Sequence, residues 1–79
     1  MAVTAYVLIQ TEVGKAADVA KAVGGLPGFV SAEAVTGVYD VISRAEAESI
    51  DELARSVASE VGKIEGITRT LTCTVVHLD

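Results

Sequence analysis

The sequence predicts an α+β domain in which two strand–helix–strand units share one four-stranded antiparallel sheet, with both helices on the same face. Three observations predict it. Four stretches read as strands and two as helices, in the order β-α-β-β-α-β. The two helices end alike: Leu26-Pro27-Gly28-Phe29 and Ile64-Glu65-Gly66-Ile67 each run apolar, one residue, glycine, apolar into a strand. Between the halves lies Val35-Thr36-Gly37-Val38-Tyr39-Asp40-Val41-Ile42, a turn glycine followed by an aromatic and an acid that enters an apolar run.

Taken in order, Val3 to Thr11 is rich in β-branched and aromatic residues. Val3, Ala5, Val7 and Ile9 point to one face and Tyr6 and Leu8 to the other, so both sides of the sheet need cover. After a turn at Glu12 to Gly14, Ala16, Val19, Ala20, Val23 and Leu26 recur at helical spacing. Gly24-Gly25 stops that helix and Pro27 forbids its continuation. Phe29 to Val35 and Val38 to Ala45 form the next two strands, joined by a hairpin at Thr36-Gly37. Ser49 with Glu52 three residues on makes a capping box. Ile50, Leu53, Val57, Val61 and Ile64 then form the stripe of a helix roughly 24 Å long. Ile67 to Leu78 is the last strand, with Leu71, Cys73 and Val75 expected toward the helices. Thr68, Thr70, Thr72 and Thr74 are expected on the opposite face. The solution that satisfies this order is the ferredoxin-like split βαβ fold.

At 79 residues this is one domain, 1–79, with no linker or low-complexity tract. A chain this short buries only about 60% of its unfolded surface and needs support. Its single cysteine, Cys73, excludes an intrachain disulfide, and no Cys/His cluster has zinc-ligand spacing. Self-association remains, and the apolar second sheet face, with Tyr6 and Leu8, predicts a two-fold homodimer through that face. A net charge of −5 with scattered basic residues argues against direct nucleic-acid binding. No signal-peptide n-region and no run near the ~20 apolar residues of a membrane span is present, so the expectation is a soluble cytoplasmic protein, not membrane-bound.

Among residues with chemical potential, Gly37 is either a turn glycine or a point of close approach to a ligand. Tyr39 serves as packing surface at a subunit contact or as part of a site. Asp40 either caps the hairpin backbone or receives a cation such as the α-ammonium of an amino acid. The threonine row is sheet surface, with hydroxyls able to hold a carboxylate. Cys73 reads as a small core hydrophobe, His77 has no partner, and the acids Glu46, Glu48, Asp51, Glu52 and Glu60 form a solvated face near the second helix. No nucleophile has both a base and an orienting group, so an enzyme is not expected, and no cofactor is implied.

With these elements placed, the chain resembles the effector (RAM) domain of the Lrp/AsnC feast/famine transcription regulators. The resemblance runs from Ala5-Tyr6-Val7-Leu8-Ile9 to Thr74-Val75-Val76. It is carried by Leu26-Pro27-Gly28-Phe29-Val30, the central Val35–Ile42 stretch and Gly66-Ile67-Thr68-Arg69-Thr70-Leu71-Thr72. Family regulators carry an N-terminal helix-turn-helix, whereas this sequence starts at the first effector strand and is similar to the stand-alone subgroup. The resemblance implies sheet-faced dimers assembling into rings, with amino acids bound between dimers. It implies a site made of Thr36, Gly37, Val38, Tyr39 and Asp40, joined by Thr70 and Thr72, and pairing with full-length regulators as a route of action. The residues by themselves leave open a ligand-free oligomerisation adaptor and, less supported, a small dimeric ferredoxin-like enzyme without cofactor.

Overall fold

The computed structural model describes residues 2–78. The elements are β1 (Val3–Thr11), α1 (Ala16–Gly24), β2 (Phe29–Ala34), β3 (Val41–Ala47), α2 (Ile50–Ser59), a 3-10 turn (Val61–Lys63) and β4 (Ile67–Thr74). The sheet runs β2-β3-β1-β4, with every neighbouring pair antiparallel. This is the ferredoxin-like βαββαβ architecture the sequence predicts.

The core lies between one sheet face and the helices. Ala5, Val7, Ile9, Val41 and Ala45 from the two central strands meet Val19 and Val23 of α1, Leu53 of α2 and Val61. Each large side chain buried here contributes about 1.5–3 kcal/mol. Ser43 sits fully buried in the same row and donates its hydroxyl to the Val7 carbonyl at 2.9 Å, so the polar atom is satisfied. The opposite face stays open. Tyr6 is 41% exposed, Ile42 39% and Leu71 46%, which matches the expected two-faced β1.

The two helix-to-strand joints use one device twice. Gly28 (φ 86°) and Gly66 (φ 95°) take a left-handed backbone that L-residues resist. The Gly28 carbonyl accepts from Glu46 N–H and the Gly66 carbonyl from Glu12 N–H, each at 2.8 Å. Phe29 and Ile67 then turn toward the core. One residue later each edge strand bulges: Val30 is unpaired between Phe29↔Ala45 and Ser31↔Arg44, and Thr68 between Thr11↔Ile67 and Gln10↔Arg69.

The bulge at Thr68 overturns the expected orientation of β4. An extra residue reverses the inward–outward alternation beyond it. Thr70, Thr72 and Thr74 therefore pair with Ile9, Val7 and Ala5 on the helix side, while Leu71 and Cys73 pair with Leu8 and Tyr6 on the open face. Cys73 is exposed there and is not a core residue.

Element boundaries also differ from the sequence reading, most at three places. β3 begins at Val41, so residues 35–40 form a longer connection than a two-residue hairpin turn. α2 ends at Ser59, about 15 Å long, because Gly62 disfavours another helical turn and the chain tightens into 3-10 geometry with Ile64 N–H on the Val61 carbonyl. Ile50, expected in the core stripe, is 60% exposed. β4 stops at Thr74, and Val75 to Leu78 carry no regular structure.

The accessible surface is 5202 Å², whereas a compact monomer of 8.1 kDa exposes about 4,500 Å². The irregular stretch Val75–Leu78, with Val76 and Leu78 exposed, contributes to this surplus.

Candidate functional site

The connection between β2 and β3 is closed on itself by one hydrogen bond and tied to the end of β1 by three more. Val35 N–H donates to the Asp40 carbonyl at 2.9 Å and Asp40 N–H to the Ile9 carbonyl at 2.8 Å. Gln10 Nε2 donates to the Val38 carbonyl at 3.0 Å. Thr11 N–H donates to Asp40 Oδ2 at 2.8 Å. The last bond falls where the bulge interrupts the β1–β4 ladder.

Asp40 therefore holds the end of β1 through its side chain, rather than the backbone of its own hairpin. Its carboxylate is half-buried, and no Lys or Arg among the described residues forms an ion pair with it; the ion pairs present are Arg44–Glu46 and Lys63–Glu60. A carboxylate that accepts one backbone bond through one oxygen keeps the other for a second donor. Beside it, Thr36, Gly37 and Val38 are exposed, Val38 to 79%, and Tyr39 is half-buried. Gly37 has φ 153° and open space where a Cβ would stand, so its glycine requirement is conformational and not steric. The loop thus offers a free acid oxygen, an aromatic ring and an approachable backbone within five consecutive residues.

Thr70 and Thr72 do not lie with the hairpin. With Thr74 they floor a cleft of about 370 Å³ between β4 and α2, walled by Ile50, Ala54 and Val57. No hairpin residue and no ionisable side chain lines this cleft. The cleft thus offers a zwitterionic amino acid hydroxyl groups but no charged partner for either of its charges. The predicted site residues therefore divide between two places in one protomer.

Sequence reasoning missed Gln10 and Thr11 as anchors of the hairpin, and it missed Ser43 and the walls of the cleft. The pair Gln10-Thr11, polar residues closing an apolar strand, carried a signal that the strand end needs partners. The standing-off of α2 carried none, because Ile50, Ala54 and Val57 match the spacing of an ordinary core stripe.

Comparison with known proteins gives a consistent picture. The sequence model described as the Lrp/AsnC ligand binding domain matches residues 4–77. The crystal structure of TTHA0845 from Thermus thermophilus superposes with a TM-score of 0.89 at 27% identity, covering 98% of this chain and 96% of that one. Hypothetical protein PHS023 from Pyrococcus horikoshii gives 0.86 at 28% identity, covering 96% and 92%. Transcriptional regulator NMB0573 from Neisseria meningitidis, solved as an L-Met complex, gives 0.82 at 18% identity, covering 95% of this chain and 50% of that one, a likeness of fold. No curated protein matches the sequence.

Proposed function

The chain belongs to the Lrp/AsnC ligand-binding domain family, and from that premise we propose that it is a regulatory module that binds an amino acid at the β2–β3 hairpin, between self-associated copies. The observation that carries this reading is the Asp40 carboxylate: fixed by Thr11 N–H on one oxygen, half-buried, and without a basic partner among the described residues. An α-ammonium supplies the missing cation, and charge-assisted bonds of this kind are about twice as strong as neutral ones. Thr36, Gly37, Val38 and Tyr39 form the rest of the contact. Thr70 and Thr72 join them only when a neighbouring copy supplies them, since within one protomer they open into the α2–β4 cleft. The L-Met bound by the Neisseria regulator supports the ligand class.

Assembly in this reading uses the open sheet face. Tyr6, Leu8, Ile42, Leu71 and Cys73 form an apolar patch there. Ligand-dependent assembly, or pairing with full-length regulators of the family, is the route by which binding would act.

A thermal melt screened against the common amino acids tests the reading. A ligand at a hundred times its Kd stabilises by about 2.7 kcal/mol, so one amino acid or a related group should raise Tm by about 10–20 °C. The competing reading is a ligand-free oligomerisation module, favoured by the bond from Thr11, which gives Asp40 a structural task of its own. It prevails if no amino acid moves Tm.

A further inference from the structure

An amino acid whose ammonium rests on Asp40 brings a carboxylate with it, and a chain of net charge −5 repels that group unless a cation stands close by. Most of the basic side chains are placed elsewhere or already engaged. Lys21 and Arg55 lie on the helices, and Lys15 precedes α1 with its stem over Gly66. Lys63 is paired with Glu60. Arg44 is paired with Glu46 and stands four residues beyond Asp40, roughly 13 Å along the strand. Arg69 remains.

The register puts Arg69 beside the hairpin. Tyr6, Leu8 and Gln10 share the open face of β1, and they pair with Cys73, Leu71 and Arg69 in turn. Arg69 therefore stands on that face, directly across from Gln10, whose amide reaches the Val38 carbonyl of the hairpin at 3.0 Å. It is exposed and enters no ion pair among the described residues. Asp40 flanks the same strand end from the β3 side, with its N–H on the Ile9 carbonyl and its Oδ2 on Thr11 N–H. Since β1 lies between β3 and β4, an acid and a guanidinium bracket the end of β1, about 10 Å apart at the level of the backbone. They do not pair with each other.

We infer that Arg69 binds the α-carboxylate of the ligand, so that the hairpin and β4 of one protomer together select a free α-amino acid over the corresponding amine, amide or peptide. This rests on the reading of the hairpin as an amino-acid site and adds its second charge. The guanidinium presents parallel N–H groups that match the two oxygens of a carboxylate. Its long apolar stem lets the charged head travel from β4 over Gln10 toward the hairpin. The two charges of an amino acid hang on a single carbon, so one small molecule bridges the gap that Asp40 and Arg69 leave between them. A ligand without the carboxylate leaves the guanidinium unused. Water excluded by a neighbouring copy over the hairpin strengthens both contacts, and the threonine hydroxyls of that copy remain free to add to them.

The test titrates wild type, Arg69→Gln and Asp40→Asn with the common L-amino acids by calorimetry, and each amino acid that binds also as its α-amide and its decarboxylated amine. Wild type should bind the amide and the amine at least about tenfold more weakly than the amino acid. Arg69→Gln should bind the amino acid about tenfold more weakly than wild type does, yet bind the amide and the amine equally well. Asp40→Asn should weaken all three. Arg69→Lys keeps the charge without the fork, and its Kd for the amino acid should fall between those of wild type and Arg69→Gln. Arg69 is exposed and unpaired, so Arg69→Gln should melt as wild type does without ligand. Amino-acid binding that survives Arg69→Gln, or an amide weakened as much as the amino acid, overturns the inference and leaves the hairpin site standing. Wild type that binds no amino acid overturns the hairpin site, and this inference with it.

Discussion

Substitution at Asp40 separates two roles that the hairpin geometry combines. Asp40→Ala leaves the half-buried Thr11 N–H without its acceptor, at a cost of about 1–3 kcal/mol. For a domain of this size each kcal/mol lowers Tm by roughly 4–8 °C, so the alanine variant should melt about 5–20 °C lower at fixed protein concentration. Asp40→Asn keeps an amide oxygen where Oδ2 now accepts the 2.8 Å bond, and exchanges a charge-assisted bond for a neutral one. Partial exposure keeps that loss near 0.5–1 kcal/mol. Binding should suffer from both substitutions, since both remove the carboxylate charge. The asparagine variant folds nearly as well as wild type, yet it lacks the charge that holds an ammonium, and its Kd should rise about tenfold. Calorimetric melts and titrations of the three proteins, with the amino acid that stabilises wild type, measure both effects. An alanine variant that melts like wild type refutes the anchoring role. An asparagine variant that binds like wild type refutes the ammonium contact.

The remaining expectations concern the backbone and the core. Alanine at Gly28 adds strain at φ 86° and sets a Cβ 3.1 Å from the Glu46 carbonyl oxygen, while at Gly14 (φ 83°) it meets open space; chemical denaturation should rank Gly28→Ala as the more costly, by about 1–3 kcal/mol more. Ser43→Ala removes the buried bond to the Val7 carbonyl and should cost about 1 kcal/mol in the same assay, with the oligomer mass unchanged. Gly37→Ala strains an exposed loop with no steric contact, so it should weaken amino-acid binding in a titration far more than it lowers Tm.

Much of this structure was legible in the residues. The β-α-β-β-α-β order, the capping serine, whose hydroxyl accepts from Glu52 N–H, and the inward row of β1 all follow from local pattern. What escaped was set by single residues whose effect is not periodic. The extra residue at Thr68 reverses the facing of Thr70 through Thr74, and nothing in an alternating Thr/apolar run says where an alternation slips. Gly62 ends a helix that the apolar stripe alone would continue. At the hairpin, the residue types pointed to the loop correctly, but the partners that fix it, Gln10 and Thr11, lie on another strand about 30 positions away in sequence. The division of Thr70 and Thr72 from the hairpin follows from the same slip, since the expected face would have put them on the other side of the sheet.

The strand order also imposes a timetable on folding. β2 and β3 are joined by a short connection and can pair early, but β1 belongs between β3 and β4, and Ala5 finds its partner at Thr74, across nearly the whole sequence. Contacts of such long separation carry a loop-closure cost before they return any stability, and they slow folding. Until β4 docks, β1 is itself an edge, with its row of Ala5, Val7 and Ile9 only partly sheltered. The least protected moment in the life of this chain therefore comes before its last strand arrives.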